Sequence, residues 1–296
     1  MKKTIQKYGF LNTSVTVVVF LTWISVFWIH GMLGVYAWSA LKFIFPILGL
    51  IGVLGNLILL TVLLIKKNYR FKHLINTALC IVLASHLLLT MNILRLEYPI
   101  HINKTQPAVT GKWPLSKETV IGWGGDTVNN KLPHVIWPSE RWAYDLVMEP
   151  YNTGSENPED YGIWNQEVLC PVSGGVIAAE DDEADITPGS KDILSMEGNH
   201  VYMRITSTGT YLLLNHLKKD SVTVSVGEYV IPVRVLGRVG NSGSTSEPHL
   251  HIHHQRQNPV DTLYPILAEG LPLYFDGIDK EAMPVKGTVV TPTGYW

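Results

Sequence analysis

The sequence predicts a chain in two parts: three membrane-crossing α-helices, then a mainly β extracytoplasmic domain whose antiparallel sheets form an open barrel or sandwich. Three observations lead there. Hydrophobic residues make up 46% of the 296 and charged residues only 16%, against roughly 25% charged in a domain that lives in water. The charge is also segregated. Residues 1–96 hold nine Lys and Arg and no Asp or Glu, whereas residues 97–296 hold fourteen basic residues and all 25 acids. Past residue 97, short β-branched runs recur between clusters of Gly, Pro, Asn and Asp, the pattern of strands joined by turns. The length fits about two domains at ~150 residues each. These features exclude a disordered chain, a disulfide-stapled miniprotein and a plain cytosolic enzyme. Nucleic acid is excluded as a partner, because the acidic half would repel phosphate.

Three apolar runs fill residues 1–96: about 10–29, 40–65 and 74–94. Each is close to the ~20 residues that carry a helix across a bilayer. Lipid offers the backbone no hydrogen-bond partners, so such runs read as helices. Lys2, Lys3 and Lys7 precede the first run, and Lys66, Lys67, Arg70 and Lys72 fill the loop between the second and third. The loop between the first and second runs carries no charge. The positive-inside rule then places the N-terminus in the cytoplasm and residues 97–296 outside. A cleaved signal peptide is the rival reading of residues 1–30, but no convincing small-x-small site precedes Trp38. Ser85 and His86 inside the third run read as a helix–helix hydrogen-bonding pair. Pro46, Gly49, Gly52 and Gly55 give the second run a small-residue packing stripe, and three helices without an acid make a poor transporter.

Cys80 falls in the third apolar run and Cys170 in the outer domain, so no internal disulfide is available and neither has a CxxC partner. Residues 97–296 form the β domain, with its core at about 122–272. Strand-like runs include RWAYDLVM, GGVIAAE, HVYMRIT, TYLLLNH and HLHIHH. The acidic stretch 180–192 lacks the spacing of a calcium loop and reads as a solvated loop.

Histidines carry the site signal. His249 and His251 in PHLHIHH stand two apart on a probable strand, which puts both imidazoles on one face. They follow the turn Gly240-Asn241-Ser242-Gly243-Ser244-Thr245, where glycines let the backbone approach closely. His216 ends the run TYLLLNH. Asp145 sits among apolar residues in RWAYDLV, a costly place for a charge unless it is paired or bound to metal. His134 lies upstream in NNKLPHV. Four of the eleven histidines fall within residues 249–254, a density that ordinary surface histidines do not explain.

From Gly198 to His254 the sequence resembles the lysostaphin-type zinc endopeptidases, also called LytM-domain peptidases. The matching pieces are Gly198-Asn199-His200-Val201, Tyr211 through Asn215-His216-Leu217, Val226-Gly227-Glu228-Tyr229-Val230, Leu236-Gly237-Arg238-Val239-Gly240-Asn241-Ser242-Gly243 and Pro248-His249-Leu250-His251. A looser likeness reaches back to Gly122 and forward to Pro272; the membrane half lies outside it. The resemblance implies an open barrel or sandwich of the duplicated-hybrid-motif kind and a zinc ion. It implies that His251 and Asp145 ligate the zinc and that His249 and His216 act on the bound water and the transition state. The family's usual first two ligands form H-x-x-x-D, a pair this chain lacks. His134, eleven positions before Asp145, is the substitute, with His101 and His200 as rivals. His253 is expected to line the groove. Arg141 either contacts a substrate carboxylate or caps its strand.

Two histidines and an aspartate leave the fourth position on zinc open to water, as a catalytic site requires. The resemblance further implies hydrolysis of the cross-linking peptides of peptidoglycan by a membrane-anchored metalloendopeptidase. Its partners are then peptidoglycan or a peptide, and the lipid bilayer. Two alternatives stand beside it: an inactive relative that regulates wall hydrolases, and a tethered peptidase for an exported non-wall peptide.

Overall fold

The computed structural model describes residues 2–66, 72–130 and 132–294. Lys67 and Arg70, part of the basic loop used for orientation, lie outside the described residues. The chain divides into two compact units, Met1–Ile100 and His101–Trp296. The division falls four residues past the expected 96/97 boundary. Tyr98 explains the difference, because its hydroxyl donates to the Ile29 carbonyl at 2.6 Å and ties this stretch to the helices.

The first unit is helical: α1 (Lys2–Trp28), α2 (Met32–Ser39), α3 (Phe45–Ile65), α4 (Lys72–Ser85) and α5 (Leu87–Thr90). Among the described residues two stretches are long and apolar enough to cross a membrane, Met32–Ile65 and His73–Thr90, where the sequence predicted three. In α1 the described apolar part is Asn12–Trp28, 17 residues and so about 26 Å at 1.5 Å per residue. The second stretch begins at Met32, not near Ala40. A π-helical turn over Ala40–Ile44 joins α2 to α3, so residues read as a loop continue the helix. The third ends at Thr90, because α4 breaks at His86 and α5 lasts one turn. The small-residue stripe packs as expected at Gly49 and Gly52 but not at Gly55. A Cβ on Gly49 would meet the Ala84 nitrogen at 2.1 Å and one on Gly52 the Cys80 sulfur at 2.5 Å, while Gly55 faces open space. His86 accepts a hydrogen bond from Trp23 Nε1 at 3.0 Å, a helix–helix bond as expected, whereas the Ser85 hydroxyl donates back to the Val82 carbonyl of its own helix.

The second unit is built of strands, with short 3₁₀ turns its only helical pieces among the described residues. They are β1 (Val109–Lys112), β2 (Thr119–Trp123), β3 (Tyr144–Val147), β4 (Glu167–Leu169), β5 (Gly174–Glu180), β6 (Asn199–Ile205) and β7 (Tyr211–Leu217). Next come β8 (Tyr229–Val230), β9 (Val235–Arg238), β10 (Leu250–Gln255), β11 (Gly270–Leu271), β12 (Leu273–Asp276) and β13 (Val289–Val290). The main sheet runs β13-β2-β3-β10-β7-β6-β5-β8, with β11 also pairing β10. Its pairings are antiparallel. Two small ribbons, β1–β12 and β4–β9, complete the fold. The core lies on one face, with Ile121, Leu146, Val201, Leu214, Leu236 and Ile252 fully buried. Strand alternation sends the intervening side chains to the other face, and the polar residues gather there.

Candidate metal centre

β10 lies between β3 and β7, and the site forms where the three strands are in register. His251 is opposite Asp145 on one side and Asn215 on the other. The i, i+2 rule puts His249, His251, His253 and Gln255 on one face of this segment. Ile252 points into the core. His254 also faces away from the site; its ring bonds the Thr210 hydroxyl and the Pro272 carbonyl, and burial lowers its pKa to about 4.

His216 reaches the site through a bulge. Between β6 and β7 the register steps from Asn199–Leu217 to Val201–Leu214, leaving one extra residue in β7 at Asn215–His216. His216 takes φ +62°, a left-handed conformation uncommon outside glycine. The bulge breaks the strand alternation, so the consecutive side chains of Asn215 and His216 both line the cleft. Bulges of this kind re-aim side chains beside active sites. The Asn215 Oδ1 atom is buried and lacks a hydrogen-bond partner.

His134 comes from a 3₁₀ segment, Leu132–Ile136, and projects its ring over Asp145. Its Nε2 lies 3.1 Å from Asp145 Oδ2, and its Nδ1 donates to Glu140 Oε2 at 3.0 Å. His251 Nδ1 lies 2.9 Å from Asp145 Oδ1. Ligand atoms of His134, Asp145 and His251 all fall within 4.8 Å of one another. Two imidazole nitrogens and a carboxylate oxygen converging in this way suit a tetrahedral zinc with one open position. The residues therefore fit the metal that the sequence implies.

On the opposite side stand the other two histidines. The His216 and His249 rings are 4.7 Å apart between centroids, and His216 is 5.9 Å from His251. His216 Nδ1–H donates to the Ser242 carbonyl at 2.8 Å, which leaves its Nε2 with the lone pair. His249 Nδ1–H donates to the Glu247 carbonyl at 2.8 Å, and its Nε2 stands 3.6 Å from Asp145 Oδ1.

The electrostatics separate these groups. Burial works to neutralise His134, but the Asp145 carboxylate, with Glu140 behind it, outweighs burial and raises its pKa to about 10. Burial likewise works to protonate Asp145, yet the charge of His134 and the surrounding imidazole bonds hold its carboxyl well below the usual range. Burial and the neighbouring charges of His249 and His251 hold His216 well below the usual imidazole range, so its ring is neutral. Burial, followed by the charge of His251, lowers His253 to about 3.

The cleft around these residues has a volume of 590 Å³. Trp123, Trp137, Ile193, Met196 and Ile266 give it apolar walls, and Ser244 and Thr245 of the Gly/Ser turn form part of its rim. Of the residues singled out in the sequence, His134, Asp145, His216, His249, His251 and His253 meet here. Arg141 does not line the cleft. Its guanidinium holds Asp126, through Oδ1 and the backbone carbonyl, each at 2.8 Å. It also stacks on Trp142 at 4.4 Å, so its observed contacts are structural and not with the cleft. It stands four residues before Asp145, where H-x-x-x-D would place a histidine. His200 is turned away: it bonds the Gly198 carbonyl and stacks on Tyr202. Sequence reading missed Glu140, Asn215 and Gln255. Gln255 was legible, being two residues beyond His253 on the same face.

Comparison with known proteins agrees with the sequence resemblance. Residues 161–262 match the family model described as Peptidase family M23. The match contains His216, His249 and His251, and stops short of His134 and Asp145. No curated protein matches the chain. Among solved structures it is similar to the antimicrobial peptidase lysostaphin from Staphylococcus simulans, at 16% identity over 54% of this chain and 50% of that one, TM-score 0.33. It is similar to a zinc-containing peptidase from Vibrio cholerae, at 17% identity over 49% and 33%, TM-score 0.27. It is also similar to the deep-sea metalloprotease pseudoalterin, at 14% identity over 61% and 95%, TM-score 0.35. This chain spans about half the length of the lysostaphin structure.

Proposed function

We propose that this peptidase family M23 region, with the strand that precedes it, is the catalytic part of a membrane-anchored, zinc-dependent endopeptidase acting on the cross-linking peptides of peptidoglycan. The observation that carries the reading is the meeting of His134, Asp145 and His251 around one point, with His216 and His249 facing them across the cleft.

His134, Asp145 and His251 would hold the zinc, which when bound supplies a water acidic enough to attack at neutral pH and a Lewis acid for the scissile carbonyl. His216 is neutral and bares its Nε2, so it can accept a proton there. A neutral imidazole is the usual general base near pH 7. His249 has its Nδ1–H fixed on a carbonyl and its Nε2 toward Asp145, placed to stabilise an oxyanion or pass a proton to the leaving amine. The apolar walls of the cleft would exclude water from the reacting groups.

The anchor reading rests on exposure. In the stretch Met32–Ile65 only 6% of the most apolar window is buried, and in His73–Thr90 11%. A core helix of a soluble protein would bury that face. Lipid is the solvent that such a surface fits. With α1 as a third crossing, the basic flanks place the N-terminus in the cytoplasm and the β unit outside, in reach of the wall.

The apolar cleft walls favour a second reading, in which an exported non-wall peptide with bulky side chains is the substrate. The test uses the purified full chain in detergent: zinc content, then digestion of purified peptidoglycan beside a panel of apolar peptides. Release of new amino termini from peptidoglycan supports the first reading, and cleavage of the peptides alone supports the second. A folded chain that binds no zinc and cleaves neither would overturn both.

A further inference from the structure

A chain of hydrogen bonds runs behind each metal-facing imidazole, and each chain ends on a group whose polarity is fixed. Behind His251, the Gln255 amide nitrogen donates to the Gln257 carbonyl at 2.9 Å. A carbonyl only accepts, so Gln255 must present its oxygen to His253, and His253 Nε2 lies 3.1 Å from that oxygen. His253 therefore carries its proton on Nε2, which leaves Nδ1 as the acceptor. That Nδ1 is 2.9 Å from His251 Nε2, so His251 must donate from Nε2. The His251 Nδ1 lone pair then faces Asp145 Oδ1 at 2.9 Å. Behind His134, the Glu140 carboxylate takes the Nδ1 proton, so Nε2, 3.1 Å from Asp145 Oδ2, is the nitrogen that releases its proton and turns a lone pair on a metal.

We propose that Glu140 on one side, and His253 with Gln255 on the other, are positioning residues that fix the tautomers of His134 and His251 and so turn both lone pairs on the metal. The proposal rests on the zinc reading above. It reassigns His253 from groove lining to support, and gives Glu140 and Gln255 a role. His251, His253 and Gln255 stand at i, i+2 and i+4, so a single strand face carries both the ligand and its support. Removing partners of this kind costs 10- to 100-fold in metal affinity in zinc sites generally.

The test measures zinc affinity of the full chain in detergent by chelator competition, with the cobalt(II) visible spectrum as a second readout. Gln255→Leu frees His253 to reverse its proton, and Glu140→Ala leaves His134 unanchored; each is expected to weaken zinc binding by about tenfold or more. Glu140→Gln keeps an oxygen acceptor in place and is expected to stay within threefold of wild type. A merely structural role would lower the thermal midpoint of the metal-free chain without separating Glu140→Gln from Glu140→Ala in affinity. Cobalt spectra that keep the wild-type band positions at saturating metal, with only the affinity lowered, also support the proposal. Wild-type affinity in folded Gln255→Leu and Glu140→Ala would overturn it while the zinc reading stands. A wild-type chain that binds neither zinc nor cobalt would overturn the zinc reading itself.

Discussion

Gly198 and Gly243 press backbone against backbone beside the site: a Cβ on Gly243 would sit 2.3 Å from the Gly198 nitrogen, and one on Gly198 would sit 2.4 Å from the Ser242 carbonyl. Both glycines hold positive φ, +65° at Gly198 and +77° at Gly243. The contact seats the Ser242 carbonyl, which receives the His216 Nδ1 proton. Gly243→Ala should therefore strain the turn and lower stability by about 1–3 kcal/mol. Activity should fall more than zinc affinity, because His216 loses its anchor while the three metal-facing residues keep theirs. Thermal unfolding and zinc titration of the variant check this. An unchanged thermal midpoint would contradict the steric argument.

The division of labour among the histidines gives a second expectation. His251→Ala and Asp145→Ala should empty the metal site. His216→Ala and His249→Ala should keep the metal and lose activity, by about 10²- to 10⁴-fold if each acts in proton transfer. Metal analysis paired with single-turnover kinetics separates the two groups. Metal loss in His249→Ala together with retention in His251→Ala would reverse the roles within the pair.

Much of this site was legible because strand geometry is local. The spacing of His249, His251 and His253 fixes their common face whatever the rest of the fold does. The costly charge of Asp145 in an apolar run likewise marked it before its neighbours were known. The turn at residues 240–245 signalled a close backbone approach, and Gly243 makes one. His216 was read from its place at the end of a Leu-rich run, but the bulge that aims it depends on pairing with β6, which no local pattern encodes. Arg141 and Glu140 are adjacent and charged, yet one turns to Asp126 and the other to His134. That choice is made by tertiary contacts. Likewise the loop expected before Ala40 shrinks to the turn at Gly31, which takes φ +75°, because the uncharged run after it continues a helix at little cost.

The raised pKa of His134 predicts a pH dependence of metal binding. Its folded value is about 10, against ~6.5 for a free imidazole. In the metal-free chain the His134–Asp145 pair therefore stabilises the fold fully below pH ~6.5 and loses that contribution as pH rises through 10. Metal binding must expel the same proton. Apparent zinc affinity should then rise with pH, by up to about tenfold per unit between pH 7 and 9 for one proton displaced. Asp145 adds nothing to the slope, since its carboxyl is ionised throughout. Chelator competition at three pH values measures it. A flat profile would mean that His134 is already neutral before metal arrives.

The topology of the helical unit can be tested by reporter fusions. Two stretches in the described residues pass as membrane spans. Phe10 and Leu11 lengthen the apolar part of α1 to 19 residues in the sequence, close to the ~20 needed. With α1 as the third crossing, a fusion after Tyr98 should report an extracytoplasmic position. A cytoplasmic signal there would leave two crossings and put the β unit on the side of the N-terminus, away from the wall.

The last expectation concerns the ligand that the family's usual spacing does not supply. Zinc held by Asp145 and His251 alone would lack the third protein ligand of a catalytic site. Arg141, at the H-x-x-x-D position, is committed to Asp126. His200 bonds Gly198 and stacks on Tyr202. His101 begins the second unit and is exposed. His134 instead faces Asp145 at 3.1 Å and is held from behind by Glu140, and the segment between it and Asp145 makes two short 3₁₀ turns that let it leave and rejoin the site. His134→Ala should weaken zinc binding at least tenfold, about 1.4 kcal/mol or more, whereas His101→Ala and His200→Ala should change it less than twofold. Zinc titration of the three variants decides among them. Wild-type affinity in His134→Ala would remove the third ligand and favour the reading of an inactive relative that regulates other hydrolases.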